Sequence, residues 1–341
     1  MTAAKTRRER SRQAIADYLL SEHELEEMYY YMLLTRRLNE RAMVLNRQGK
    51  APFAIVGTGQ EAAQVGAALA LKRGTDYLAP YYRDLGMCLV LGMTAREAML
   101  NLLAKRDDPT SHGRQMPAHW GGADRHIVTG SSVVATQLLH AAGIGLAAKL
   151  REDPIVVMTC CGEGSTSKGD FHEALNFAAV HKLPVIFFIQ NNGYAISEAT
   201  WKSMPVEHVA DRAKGYGLRG STVDGMDAIA VYQTVRPLVD EARKGRGPFL
   251  VEAKCFRLGP HSSDDDDTRY RPKGELEEWA KQDPVKTFRK RVEDDLIFPP
   301  DDLDEIEQRV EDEVRDAAQW ALQQPDPEPE DALGFVYVEA D

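Results

Sequence analysis

The spacing of apolar positions changes several times along the chain, and each change marks an element. From Ser21, the residues Leu25, Met28, Met32 and Leu33 recur at helical spacing, and Ser21 with Glu24 makes a capping box. This helix is expected to run to Gln48 and to end at Gly49. A second helix opens at Gly59-Gln60-Glu61 and is rich in small residues, among them Ala62, Ala63, Gly66 and Ala67. Small side chains permit close approach, so this helix is expected to be buried. Residues 77–84 read as a polar-aromatic loop. Thr94 to Glu97 is another capping box and predicts a helix to Lys105. Residues 106–130 have no period and carry Gly, Pro and His, which predicts a long functional or mobile loop. Residues 136–150 predict a helix with Gly143 and Gly145 at its centre.

The period then shortens. Residues 155–160 and 185–189 are strand-forming apolar runs, and residues 170–182 between them read as a helix. That is a β-α-β unit. Beyond it, residues 206–214 predict a helix and residues 222–224 a short strand. Residues 227–244 predict a helix that Pro237 should kink, and residues 249–255 a strand. The alternation predicts an α/β fold, a central mostly parallel sheet with helices on both faces. Residues 275–292 and 301–323 are amphipathic and charged. The expected organisation is a loose basic arm over 1–20, the α/β domain over 21–275, and a helical acidic extension over 276–341.

Composition narrows the function. The chain has 341 residues, 43% of them apolar and 28% charged, as in an ordinary globular protein. A net charge of −11 argues against nucleic acid as a partner, because phosphate binding needs a basic surface. The four cysteines include no C-x-x-C pair, so reduced thiols are expected and a zinc site is not. No signal-peptide core and no membrane-spanning apolar run is legible, and a cytoplasmic location is the default.

The chemistry lies at the ends of the two strands. Gly162-Glu163-Gly164-Ser165 follows the first and Asn191-Asn192-Gly193-Tyr194 the second. If the strands are parallel neighbours, their ends lie about 4.8 Å apart. Glu163 and Asn192 can then face one small hard cation, with glycines leaving room for a phosphate. Magnesium takes one or two carboxylates plus phosphate and water oxygens. Glu163, the Asn192 amide oxygen and the Tyr194 carbonyl are the candidate metal ligands. A dinucleotide fingerprint is disfavoured, because the third glycine is missing, and a P-loop does not occur.

Gly-Glu-Gly, a paired Asn 192 − 163 = 29 residues later, and the Gly169-Asp170-Phe171-His172 helix start resemble the thiamine diphosphate motif. The wider pattern, over residues 25–271, resembles the α subunit of the heterotetrameric 2-oxo acid dehydrogenases. Three features resemble the branched-chain type rather than the pyruvate type: Glu in the motif, Gly113-Arg114-Gln115-Met116-Pro117-Ala118-His119-Trp120 in the long loop, and Leu258-Gly259-Pro260-His261-Ser262-Ser263. Pyruvate and acetoin enzymes stay open, as does a non-catalytic diphosphate-binding regulatory protein.

The resemblance implies a thiamine diphosphate-binding fold and a role for each matching position. Tyr82 and Arg83 contact the diphosphate, Ser132 and Val134 the aminopyrimidine, and Gly162, Glu163, Gly164 and Ser165 the diphosphate and metal. Asn192 and Tyr194 complete the magnesium ligands, and Ser131, Thr136 and Gln137 a structural potassium site. His261 is the catalytic candidate, because a histidine titrates near neutral pH and can bond the diphosphate or a reacting oxygen. His119, His126 and Phe53 are candidates for substrate contact. Ser262 matches a serine phosphorylated in mitochondrial relatives, where added charge would repel a diphosphate. One departure is Gln190, where relatives of this type carry Arg; a neutral amide lends the diphosphate less charge. The glutamate that protonates the aminopyrimidine has no second domain here to carry it. The resemblance therefore implies a separate β subunit in an α₂β₂ assembly, a 2-oxo acid substrate, and a lipoyl-bearing acyltransferase that receives the acyl group.

Overall fold

In the computed structural model, which describes residues 2–334, the alternation of strands and helices becomes one parallel sheet between two helical layers. The chain opens with α1 (Thr2–Tyr18) and the long α2 (Glu22–Arg47). The capping box at Ser21 and Glu24 is formed in both directions, and Gly49, at φ +69°, takes the left-handed turn after the helix. Next come α3 (Glu61–Ala68), β1 (Tyr77–Ala79), α4 (Leu85–Val90) and α5 (Ala95–Leu102). After the long loop, α6 (Thr136–Arg151), β2 (Val157–Gly162), α7 (Gly169–His181) and β3 (Val185–Asn191) form the core of the domain. A hairpin of β4 (Tyr194–Ala195) and β5 (Glu198–Ala199) leads into α8 (Thr200–Ser203). A 3-10 segment (Val209–Tyr216), β6 (Arg219–Asp224), α9 (Ala228–Glu241) and β7 (Phe249–Lys254) complete the sheet. The extension holds α10 (Glu275–Ala280), α11 (Pro284–Asp294) and α12 (Pro300–Ala321).

The strand order is β1-β2-β3-β7-β6, and every pairing in this sheet is parallel. Alternate residues feed two separate cores, as a strand's twofold period requires. Met158, Cys160, Ile186, Phe188 and Val251 face α2, α3, α9, α11 and α12. Val157, Cys161, Val185, Phe187 and Leu250 face α6 and α7. Arg36 ties the first layer together: its guanidinium meets Glu61 at 2.7 Å and Asp283 at 2.8 Å, so α2, α3 and α11 share one buried ion cluster.

Several expectations are corrected. Tyr77–Ala79, read as loop, is the edge strand, in register with Val157, Met158 and Thr159. Three residues are too few to show alternation. The all-buried α4 shows no polar face, so periodicity could not find it. The basic arm is helical over Thr2–Tyr18; it lacks an apolar stripe, and its end docks where Tyr18 packs under the Arg291 guanidinium. Residues 275–292 form two helices, because Asp283 caps a new one that starts at Pro284. The 3-10 segment replaces a predicted α-helix over 206–214. Residues 335–341 of the acidic extension lie outside the described residues. All four cysteines are buried and free. Among the described residues no helix is long and apolar enough to cross a membrane.

Candidate active site

Register builds the site. Gly162 pairs with Gln190 at the ends of β2 and β3, so the residues that follow emerge side by side at the carboxyl edge of the sheet. Glu163 opens a 3-10 turn (Glu163–Ser167), and its Oε2 accepts the Asn192 backbone N–H at 3.1 Å. Gly193, at φ +88°, turns the chain back, and Asn192 Oδ1 accepts the Tyr194 N–H at 3.3 Å. The two asparagines separate in role. Asn191 is held by Glu252, through Nδ2 to Oε1 at 2.7 Å, whereas Asn192 faces a cavity. Gly164 must be glycine: a Cβ there would lie 2.4 Å from the Ala195 Cβ.

The cavity measures about 350 Å³. Tyr82, Arg83, Ser132, Val134, Gly162, Glu163, Gly164, Ser165, Asn192, Tyr194 and His261 all line it, together with Tyr81, Ala195 and Ile196. Every position singled out for thiamine diphosphate, magnesium or catalysis is thus brought to one place, whereas Ser131, Thr136 and Gln137, singled out for potassium, do not line it. Nor do the long-loop candidates. His119 lies behind Ser132: its Nδ1 donates to the Met116 carbonyl, so its Nε2 accepts the Ser132 hydroxyl at 2.6 Å. His126 stacks on Tyr77 at 4.3 Å and packs against β1. Phe53 is not part of the lining.

Charge in the cavity is uncompensated on both sides. Glu163 is 3% exposed, and its Oε1 has no hydrogen-bond partner among the described residues. Burial raises its pKa, and the bond from Asn192 opposes that only in part. Facing it, Arg83 is 2% exposed and donates to the Val56 carbonyl at 2.6 Å and to His261 Nδ1 at 2.8 Å. Arg257 is as deeply buried and donates to the Ile196 and Gly259 carbonyls and to the Tyr270 hydroxyl. Among the described residues neither guanidinium forms a salt bridge. Sequence reasoning missed Arg257. Its signal was an arginine three residues past β7, just before the glycine-proline turn that carries His261.

His261 is held neutral. Burial, then the Arg83 and Arg257 charges, push its pKa down to about 4. Arg83 can only donate, so Nδ1 accepts and the ring proton sits on Nε2. The Asp265 carboxylate anchors the loop by accepting the His261 backbone N–H at 2.6 Å and the Tyr270 hydroxyl at 2.6 Å. The ring is therefore a fixed donor and not the neutral-pH titrating group expected from its type. Gln190 also departs from expectation. It does not line the cavity; its amide is spent on Asp84 and Gln64.

A model of the dehydrogenase E1 component family matches residues 29–330. The chain belongs to the dehydrogenase E1 component family. It is 50% identical over 323 residues to the 2-oxoisovalerate dehydrogenase subunit alpha of Bacillus subtilis, covering 94% of this chain and 97% of that one. It is 38% identical over 303 residues to a Staphylococcus aureus pyruvate dehydrogenase E1 component subunit alpha, covering 89% and 79%. It is 37% identical over 328 residues to the Mycobacterium tuberculosis 3-methyl-2-oxobutanoate dehydrogenase subunit alpha, covering 94% and 84%. The resemblance read from the motifs is borne out at the level of the family.

Membership of the dehydrogenase E1 component family implies use of thiamine diphosphate, and the donor set fits it. Arg83, a buried guanidinium on the cavity wall with no salt bridge among the described residues, suits a diphosphate, since guanidinium binds phosphate oxygens in pairs. The orphaned Glu163 oxygen suits a divalent cation. Among the described residues no group of three His, Cys, Asp or Glu side chains could hold a metal alone. A cation at Glu163 would therefore depend on phosphate oxygens, as magnesium sites commonly do.

Proposed function

We propose that this chain is the α subunit of a branched-chain 2-oxo acid dehydrogenase, and that it supplies the diphosphate- and metal-binding half of a thiamine diphosphate site. The observation that carries the proposal is the pairing in one cavity of a buried carboxylate, Glu163, whose Oε1 has no partner among the described residues, with a buried guanidinium, Arg83, that forms no salt bridge among them. The 50% identity to a 2-oxoisovalerate dehydrogenase alpha subunit favours branched-chain acids over pyruvate.

The cofactor, when bound, supplies the carbon nucleophile and the electron sink that make decarboxylation of a 2-oxo acid feasible. Arg83 holds positive charge where the diphosphate would lie, and Arg257 adds to it from behind the cavity wall. Glu163, Asn192 and the Tyr194 carbonyl would hold magnesium against it, and Gly162, Gly164 and Ser165 leave the backbone open to its oxygens. Ser132 has its proton committed to His119, so its oxygen is free to accept, and with Val134 it faces the ring end. His261 offers an Nε2–H donor whose orientation Arg83 fixes. Gln137 Oε1 is buried without a partner among the described residues, which supports a structural potassium ion near Ser131 and Thr136.

The site is half built. Ile196 and Val133, beside the cavity, are 55% and 59% exposed, an apolar rim that a β subunit would cover in an α₂β₂ assembly. A lipoyl-bearing acyltransferase would then take the acyl group, in the cytoplasm. The test is decarboxylation by the chain reconstituted with its β subunit, across pyruvate, 2-oxobutyrate and the three branched-chain 2-oxo acids. The expected kcat/KM is highest for the branched-chain acids, and the α chain alone turns over none. A preference for pyruvate, or turnover by purified α chain, would overturn the proposal.

A further inference from the structure

Two buried glutamines outside the cavity bond to one another and to the turn that carries Arg83. Gln64, on α3, is fully buried, and its Oε1 accepts the Gly86 N–H at 3.0 Å. Its Nε2 donates to the Arg83 carbonyl at 2.9 Å and to Gln190 Oε1 at 3.2 Å. Gln190, at the end of β3, donates through Nε2 to Asp84 Oδ1, and Asp84 Oδ2 accepts the Tyr81 N–H at 2.9 Å. The direction of every bond is determined. A backbone N–H can only donate and a backbone carbonyl can only accept, so Gly86 and Arg83 orient the Gln64 amide, and Gln64 orients that of Gln190. The amide of Gln64 has no slack: a Cβ on Gly57 would lie 2.9 Å from its Nε2, and one on Gly86 2.9 Å from its Oε1. The chain of bonds clamps both ends of the Tyr81–Asp84 turn, which presents Tyr82 and Arg83 to the cavity. Arg83 in turn holds His261 through Nδ1 and the backbone carbonyl, at 2.8 and 2.9 Å.

We infer that Gln64 and Gln190 are positioning residues: a directed hydrogen-bond chain from the end of β3 through both amides seats Arg83 against the diphosphate and His261. In this chain Gln190 does its work on the protein and not on the cofactor. The glutamine is thus a substitute for a phosphate ligand only in sequence position.

The test has two arms on the chain assembled with its β subunit. The first reads the turn directly, by hydrogen-deuterium exchange of the peptide spanning residues 81–90. Gln190→Met and Gln64→Met keep bulk and remove the amides, so faster exchange in this peptide is expected, with exchange in the sheet strands unchanged. Wild-type exchange in both variants would overturn the inference, whatever the cavity binds. The second arm rests on the thiamine diphosphate reading and uses inorganic pyrophosphate with magnesium, titrated calorimetrically. Each Gln→Met variant should bind about tenfold more weakly, the scale of one impaired charged hydrogen bond. In an Arg83→Ala background the same substitutions should add nothing, because they act through Arg83. An equal further loss in that background would mark a general structural role and overturn the inference. If Arg83→Ala itself binds pyrophosphate like wild type, the diphosphate reading fails and the exchange arm alone decides. If either Met variant fails to fold, Gln64→Glu serves: it places an acceptor against the Arg83 carbonyl and should speed exchange in the same peptide.

Discussion

Replacing Glu163 by Gln should move stability in opposite directions with and without ligand. The carboxylate is 3% exposed, with one oxygen bonded to the Asn192 N–H and the other unpartnered among the described residues. An unsatisfied buried polar atom costs about 1–3 kcal/mol, more when charged. The amide keeps the acceptor for Asn192 and removes the charge, so the ligand-free variant should be as stable as wild type or up to ~2 kcal/mol more stable. A metal loses much more. Substitutions that merely orient metal ligands lower affinity about 10–100-fold, and loss of the charged ligand itself should reach at least the upper figure. At a concentration of magnesium thiamine diphosphate 100 times the wild-type Kd, binding stabilises by about 2.7 kcal/mol. A 100-fold weaker variant gains only about 0.4 kcal/mol at that concentration. At roughly 2 °C per kcal/mol for a chain this long, the ligand-induced rise in Tm falls from about 5 °C to about 1 °C. Differential scanning fluorimetry of the chain with its β subunit, with and without magnesium thiamine diphosphate, measures both terms. An unchanged ligand-induced rise would refute Glu163 as a ligand. A fall in ligand-free Tm would refute the view that its charge strains the empty fold.

Three further outcomes follow from the same geometry. His261, depressed to about 4 from an unfolded value near 6.5, binds fewer protons folded than unfolded, so its contribution is fully present above pH 6.5 and is lost as pH falls toward 4. Asp84, raised to about 7 by burial, acts with the opposite sign in an overlapping window, so the urea midpoint of wild type minus that of His261→Asn is the quantity to follow; a difference flat from pH 7 to 5 would contradict the assignment. Gly164→Ala drives a Cβ to 2.4 Å from Ala195 and should destabilise by about 1–3 kcal/mol while distorting the 3-10 turn; a urea midpoint equal to wild type would contradict that contact. Arg36→Met strands Glu61 and Asp283 as buried carboxylates and should cost about 3–5 kcal/mol in urea unfolding, whereas a loss below ~1 kcal/mol would show that the cluster is solvated.

What could be read from the sequence is what is local in it. Caps at Ser21 and Thr94, and the strand-Gly-Glu-Gly and strand-Asn-Asn turns, each lie within about a dozen residues, and each is found where it was read. Parallel register then brings Glu163 beside Asn192 with no further information. The edge strand β1 and helix α4 were illegible because they are too short or too uniformly buried to carry a period. The electrostatics were illegible for a different reason. Arg257 lies 257 − 163 = 94 residues from Glu163, and only the insertion of β7 beside β3 brings it up behind the cavity wall. His261 looked like a neutral-pH titrating group because its type says so; burial, Arg83, distant in sequence, and the nearby Arg257 make it a fixed neutral donor. Gln190 looked like a weakened phosphate contact because its neighbour in sequence is the metal-ligand turn; its neighbours in space are Asp84 and Gln64. The motif thus names the atoms that would meet a metal and a diphosphate. Their charge states and aim come from strand order, so Arg83, Arg257 and Gln64, which tune this site, lie on segments the motif does not touch.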